Sequence, residues 1–264
     1  MLHEEALRDS LQKRDRAIIM LGLAGITVLS WLSTFSIAVG EGHMDMGPAI
    51  AAPHTHAGAP LHFVLTFLMW AVMMTAMMLP SASPLIVLFA AVNRAKCNEH
   101  GPFVSTGAFL SGYLFAWTVF SALMTLVQWG LQTAALLSPL LVIGSPVLGG
   151  AFLFAAGLFQ WSSLKHACLT RCRTPLGFLM NEWREGSRGA LMMGLRHGIY
   201  CIGCCWLLMG LLFVTGVMNL LWMAVITVFV LLEKIIPAGY RVSRISGLLL
   251  IAGGIWMAAK GLWS

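Results

Sequence analysis

The chain has 264 residues, of which 59% are hydrophobic and only 10% charged, with a net charge of +6 and a mean hydropathy of +0.84. A soluble domain carries about 25% charged residues, so this chain has too little polar surface to cover itself in water. That excludes a cytosolic enzyme, a nucleic-acid-binding domain and a disordered protein.

The composition and its patterning predict an all-α polytopic membrane bundle of about seven helices. Residues 1–16 form a short polar N-terminal segment, and residues 17–264 form a single helical membrane domain. Span 1 is Ala17–Val39, which holds no charged side chain and reads as an uncleaved anchor rather than a signal peptide. Span 2 lies in Leu61–Val92. The 62 residues Phe103–Leu164 contain no Asp, Glu, Lys or Arg, too long a run for one helix and right for two. Pro139, Gly144, Pro146 and Gly149 mark the turn between spans 3 and 4, where a re-entrant piece also fits. Spans 5, 6 and 7 are read as His197–Gly216, Val217–Leu232 and Ile245–Leu262. These are continuous apolar blocks without the alternation of a membrane barrel.

Fourteen of the 16 Lys and Arg residues fall in the N-terminal segment and in the loops between spans 2–3, 4–5 and 6–7. The opposite loops, Gly40–Pro60 and the span 3–4 turn, contain none. Cytoplasmic loops carry the excess of basic residues, so the N-terminus is expected in the cytoplasm and the C-terminus outside. The net positive charge follows from this sorting, and nucleic acid need not be invoked. The longest polar stretch, 165–196, is expected as short helices on the cytoplasmic membrane surface.

Four patterns could carry chemistry. In span 5, His197, Cys201, Cys204 and Cys205 share an arc of about 100° on a helix turning 100° per residue. Thiolate and imidazole are ligands of zinc, Cu(I) and iron–sulfur sites; the alternative is cysteine as a small residue at a helix contact. Just past span 4, Cys168 and Cys172 lie one turn apart, as further ligands, as a redox-active dithiol, or as incidental thiols. In span 2, Met69, Met73 and Met77 form an i, i+4, i+8 stripe. Met73 and Met77 are candidate thioether ligands for Cu(I), although methionine also fills gaps in cores. Pro80 should kink that helix or end its regular part and free backbone carbonyls. Finally, the outer loop 40–60 carries His43, Met44, Met46, His54 and His56 among Pro, Ala and Gly, a composition suited to copper capture or to a plain flexible loop. The polar groups Arg196 and Glu233-Lys234 at span ends are expected to snorkel to the headgroups, with an ion pair beside the thiols as the alternative. Asn219 and Gln160 are expected to bond neighbouring helices.

The segments Trp70–Pro84, Ala156–Gln160, Lys165 with Cys168, Cys172 and Pro175, His197-Gly198 with Cys201–Trp206, Gly216–Asn219 and Glu233-Lys234 together resemble a bacterial family of predicted metal-binding integral membrane proteins. The resemblance covers roughly residues 61–262 and departs mildly at Phe159, where the family carries Tyr. It implies a fold group and a metal, and implies nothing about the His/Met loop.

The expectation is a multi-pass protein of the bacterial inner membrane that binds a soft metal, copper ahead of zinc. It would act in metal handling, transport or delivery, with a periplasmic metallochaperone or a membrane metalloenzyme as partner. An enzyme is the less favoured reading. The alternatives are a membrane thiol–disulfide electron carrier and an assembly subunit of a membrane complex.

Overall fold

The computed structural model describes residues 2–40, 59–99, 106–138, 141–236 and 239–263. The architecture is all-α: α1 Leu2–Gly40, α2 Ala59–Glu99, α3 Thr106–Thr133, α4 Pro146–Phe159, α5 Ser163–Arg173, α6 Pro175–Glu182, α7 Gly186–Gly210, α8 Leu212–Thr215, α9 Leu220–Ile235 and α10 Gly239–Trp263. Among the described residues there is no strand, only an isolated bridge between Leu137 and Ile143 in the turn after α3.

Local sequence sets most of the boundaries. Ser145 accepts from the Leu148 N–H with Pro146 at the first helical position of α4, and Ser162 accepts from the Lys165 N–H at the start of α5. Gly216, at φ +99°, provides the left-handed turn before α9, which Asn219 caps through the Trp222 N–H. Asn219 also bonds a neighbouring helix as expected, its Nδ2 donating to the Thr215 carbonyl at the end of α8 at 3.4 Å.

α2 is the axis of the bundle. Trp70, Met73, Met74, Met77, Met78 and Leu79 are all completely buried, while Ala71, Val72 and Thr75 between them are half-buried. It runs unbroken through Pro80 and Pro84. Each proline lacks an N–H and leaves the carbonyl four residues earlier without a helical donor. For Pro80 that carbonyl is Ala76, and Trp31 Nε1 of α1 donates to it at 3.0 Å. For Pro84 it is Pro80, and Ser83 Oγ donates at 2.9 Å. Side chains thus replace the missing backbone donors and the helix continues. Trp31→Phe should remove the first of these bonds and lower stability by about 1 kcal/mol, read as a drop in the thermal midpoint of the detergent-solubilised protein.

Two helix pairs approach closely enough to require glycine. In α3 against α7, a Cβ on Gly112 would strike the Leu191 carbonyl and one on Gly194 the Phe109 carbonyl. In α4 against α10, a Cβ on Gly150 would come within 2.6 Å of the Gly254 carbonyl, and one on Gly254 within 2.6 Å of the Gly150 carbonyl. Small residues at such crossings let backbones touch. α1 packs on α2, α2 on α3, and α5 on α7.

Five helices are long and apolar enough to cross a membrane: Arg14–Val39, Pro60–Arg94, Thr106–Thr133, Gly186–Thr215 and Gly239–Trp263. The pair Pro146–Phe159 and Ser163–Arg173, bent by 62°, makes a sixth if taken as one span. The sixth expected span, Val217–Leu232, corresponds to α9, whose 16 residues extend about 24 Å, short of a hydrocarbon core of about 30 Å. Residues 165–173 and 175–182 form short helices as expected, but residues 186–196 belong to α7, inside the apolar stretch Gly186–Thr215 long enough to cross a membrane. α5 is packed in rather than lying free: Lys165 is fully buried, with Leu169 and Cys172 buried beside it.

Candidate metal centre

Thiols on α7 meet α2, α3, α5 and α9. Cys201, Cys204 and Cys205 are all buried, as the shared arc on one helix requires. Cys201 Sγ accepts from Lys234 Nζ of α9 at 3.0 Å and lies 3.4 Å from the Tyr113 hydroxyl of α3. Cys205 Sγ lies 3.9 Å from Met78 Sδ of α2. The Cys204 and Cys205 thiols both turn back to the Cys201 carbonyl, at 3.0 and 2.9 Å. Cys172 of α5 comes within interaction range of Cys204. The five described cysteines, Cys168, Cys172, Cys201, Cys204 and Cys205, are free thiols.

The two α5 thiols differ in place. Cys172 is buried and faces Cys204. Cys168 is half-buried, and its sulfur fills the space a Cβ on Gly203 would need, 2.6 Å from that position. Gly203 lies about 200° around the helix from Cys201, so Cys168 sits on the flank of α7 and Cys172 toward the other thiols.

The methionine that touches a thiol is Met78, one residue off the i, i+4 stripe. Met73 and Met77 are fully buried in the core beside it. His197, one turn before Cys201, is 2% exposed and enclosed by aromatic rings. Its ring centroid is 5.7 Å from Tyr113, 5.4 Å from Phe178 and 6.5 Å from Phe109. Neither ring nitrogen has a hydrogen-bond partner. An imidazole so placed keeps a lone pair uncommitted. The outer-loop residues His43, Met44, Met46, His54 and His56 lie outside the described residues.

Of the charged groups expected to snorkel, Glu233 and Lys234 are instead buried. Glu233 carries Lys165 Nζ at 2.9 and 2.8 Å on its two oxygens and accepts from Ser243 Oγ at 2.6 Å. Lys165 also donates to Gln160 Oε1. The neighbouring Lys234 turns the other way, donating to Ser81 Oγ at 2.8 Å as well as to Cys201. Arg196 pairs with Glu182 at the more open edge of the site. Sequence reasoning missed Tyr113 and Ser81, and did not take Met78 or Lys165 as site residues. The usable signal was Glu233-Lys234, two adjacent opposite charges on a helix that turns them to different sides.

Among the described residues, no three His, Cys, Asp or Glu side chains are already grouped to hold a metal ion. The donors that do meet are thiols and a thioether. Such a set suits Cu(I).

No curated protein and no solved structure matches this chain. A family model described as a copper chaperone, PpoB2, matches residues 67–257. That stretch runs from the methionines of α2 through the α7 thiols and Lys234 into α10, well over half of the sequence, and on that match the chain belongs to the copper chaperone family PpoB2.

Proposed function

We propose that the protein is a membrane-embedded copper handler that takes a cuprous ion onto the sulfur atoms around Cys201 and passes it to a partner. The observation that carries this reading is the meeting of the Cys205 thiol and the Met78 thioether at 3.9 Å, next to the buried Cys201 and Cys204. Copper is cargo here. Ligand exchange among soft donors moves it without nucleotide hydrolysis. Within this reading the outer loop, with His43, Met44, Met46, His54 and His56, collects the ion, and Met73 and Met77 offer weaker contacts on the way. Cys201, Cys204 and Cys205 hold it together with Met78 and Cys172; Cys168 and His197 flank that position.

Membrane insertion is supported by the five long apolar helices and by exposed large apolar side chains such as Leu29, Leu32, Phe35, Leu248, Leu249 and Trp256 on α1 and α10. The sorting of Lys and Arg supports a cytoplasmic N-terminus in a bacterial inner membrane, and the thiols lie near the middle of the Gly186–Thr215 span. With α9 counted as a short crossing, accommodated by local thinning of the bilayer, the C-terminus falls outside. The partner is a periplasmic metallochaperone or a membrane metalloenzyme, and the function is delivery rather than catalysis.

The test is metal content. Wild-type protein purified from copper-supplemented cells should carry copper by mass spectrometry, and Cys201→Ser/Cys204→Ser/Cys205→Ser should carry almost none. Met78→Leu should retain a reduced amount. Equal copper in the wild type and the triple variant would remove the site.

A further inference from the structure

Two lysines are buried among the described residues, Lys165 and Lys234, and their surroundings differ. Lys165 is answered by the Glu233 carboxylate. Lys234 is 9% exposed and is held by a sulfur and a hydroxyl, Cys201 Sγ at 3.0 Å and Ser81 Oγ at 2.8 Å. It also stands within electrostatic range of Cys172, Cys204 and Tyr113. The other charges near it, Lys165 and Glu233, cancel each other. The positive charge nearest the thiols is therefore part of the protein.

Resting on the copper reading above, we infer that the Lys234 ammonium holds the place of the cuprous ion in the empty site, and that cargo enters by displacing it from Cys201 and leaves when it returns. A metal bonded to a thiolate sits about 2.3 Å from the sulfur, in the region the ammonium occupies. Two cations on one sulfur in a water-poor interior repel strongly, so one of them must move. The lysine is equipped to do so. Its flexible four-carbon stem carries a point charge with three donors, and Ser81 remains as a perch when the sulfur is taken. Ser81 sits directly after Pro80 on α2, three residues past Met78, so perch and thioether share one rigid helix.

The arrangement answers a problem specific to a carrier. Buried thiols and a thioether alone would keep copper too well to give it up. A tethered competing cation weakens that hold, and after release it supplies the charge partner that the emptied sulfur needs. Lys234 is then a positioning residue that sets how readily the cargo leaves.

The experiment uses the full-length detergent-solubilised protein, loaded with Cu(I) under anaerobic reducing conditions. Transfer to a soft Cu(I)-chelating dye is followed by absorbance. Lys234→Met should bind copper to the same level and release it roughly tenfold more slowly, equivalent to about 1.4 kcal/mol. Ser81→Ala, which removes the perch and leaves the ammonium on the sulfur, should shift affinity the opposite way and bind copper more weakly. A merely structural role for Lys234 would speed release and lower the thermal midpoint. Release from Lys234→Met as fast as, or faster than, wild type overturns the exchange, as does a shift of the same sign in both variants. If the wild type binds no copper, the reading of function falls and the exchange falls with it. Copper bound normally and released at an unchanged rate by Lys234→Met sinks the exchange alone.

Discussion

Lys165→Met is expected to destabilise the protein by about 3–5 kcal/mol, the usual consequence of stranding one charge of a buried pair. The side chains of Lys165 and Glu233 are 0% and 2% exposed, so neither can turn to water when its partner is lost. Glu233 would keep only the Ser243 hydroxyl, and the Gln160 carbonyl oxygen would lose its donor. Because Lys165 is on α5, Glu233 on α9 and Ser243 on α10, the damage would spread to three helices and to the adjacent Lys234. Glu233→Gln should cost less than Lys165→Met, because a neutral amide is easier to leave buried than a carboxylate. The double variant Lys165→Met/Glu233→Leu should recover most of the loss, since an apolar pair of similar volume strands nothing. Thermal unfolding in detergent gives the comparison, with Arg196→Ala as reference. The Arg196 side chain is 39% exposed in its pair with Glu182, and its removal should change stability by less than about 1 kcal/mol. If Lys165→Met melts no earlier than Arg196→Ala, the buried pair does not have this weight.

The second large effect is steric. Gly194→Leu should prevent the α3–α7 crossing from forming, because its Cβ meets the Phe109 carbonyl and Tyr113 backbone rather than a movable side chain. Even Gly194→Ala should cost about 1–3 kcal/mol as overpacking. The crossing sets Tyr113 opposite Cys201, so Gly194→Leu should lose copper along with stability. Gly130→Ala on α3 separates this from the general effect of a helical glycine. Nothing lies within 4 Å of its added Cβ, and the change should be neutral or stabilising by up to about 1 kcal/mol. Scanning calorimetry or a dye-based melt of the three variants decides the point. Equal midpoints for Gly194→Ala and Gly130→Ala would contradict the close approach.

The sequence made some of this legible and hid the rest for identifiable reasons. Helical class and the burial of Cys201, Cys204 and Cys205 on one face follow from local repeat alone, and both are seen. The identity of the methionine beside the thiols does not follow. A stripe at i, i+4 marks one face of α2, yet the buried methionines extend beyond it to Met74 and Met78, and Met78 is the one that reaches Cys205. Glu233 and Lys234 look, in sequence, like any charged end of a membrane helix. Their partners are Lys165, 68 positions away, and Cys201, 33 positions away, and no local pattern carries such distances. Gln160 was expected to bond a neighbouring helix and accepts from Lys165 across the α4–α5 bend. Pro80 was expected to kink or end a helix. The helix does not end there, because what becomes of a proline site depends on whether a donor from elsewhere reaches the freed carbonyl.

That donor has a consequence for how exchangeable the N-terminal helix is. α1 lies outside the residues matched to the copper chaperone family, 67–257, and looks like a detachable anchor. Yet Trp31 supplies the hydrogen that the Ala76 oxygen would otherwise lack. A foreign helix grafted in its stead would need an indole, or some comparable N–H, at the matching height along α2. One bringing only aliphatic side chains would leave an oxygen without a donor in the protein interior, two residues before the methionine that faces the thiols.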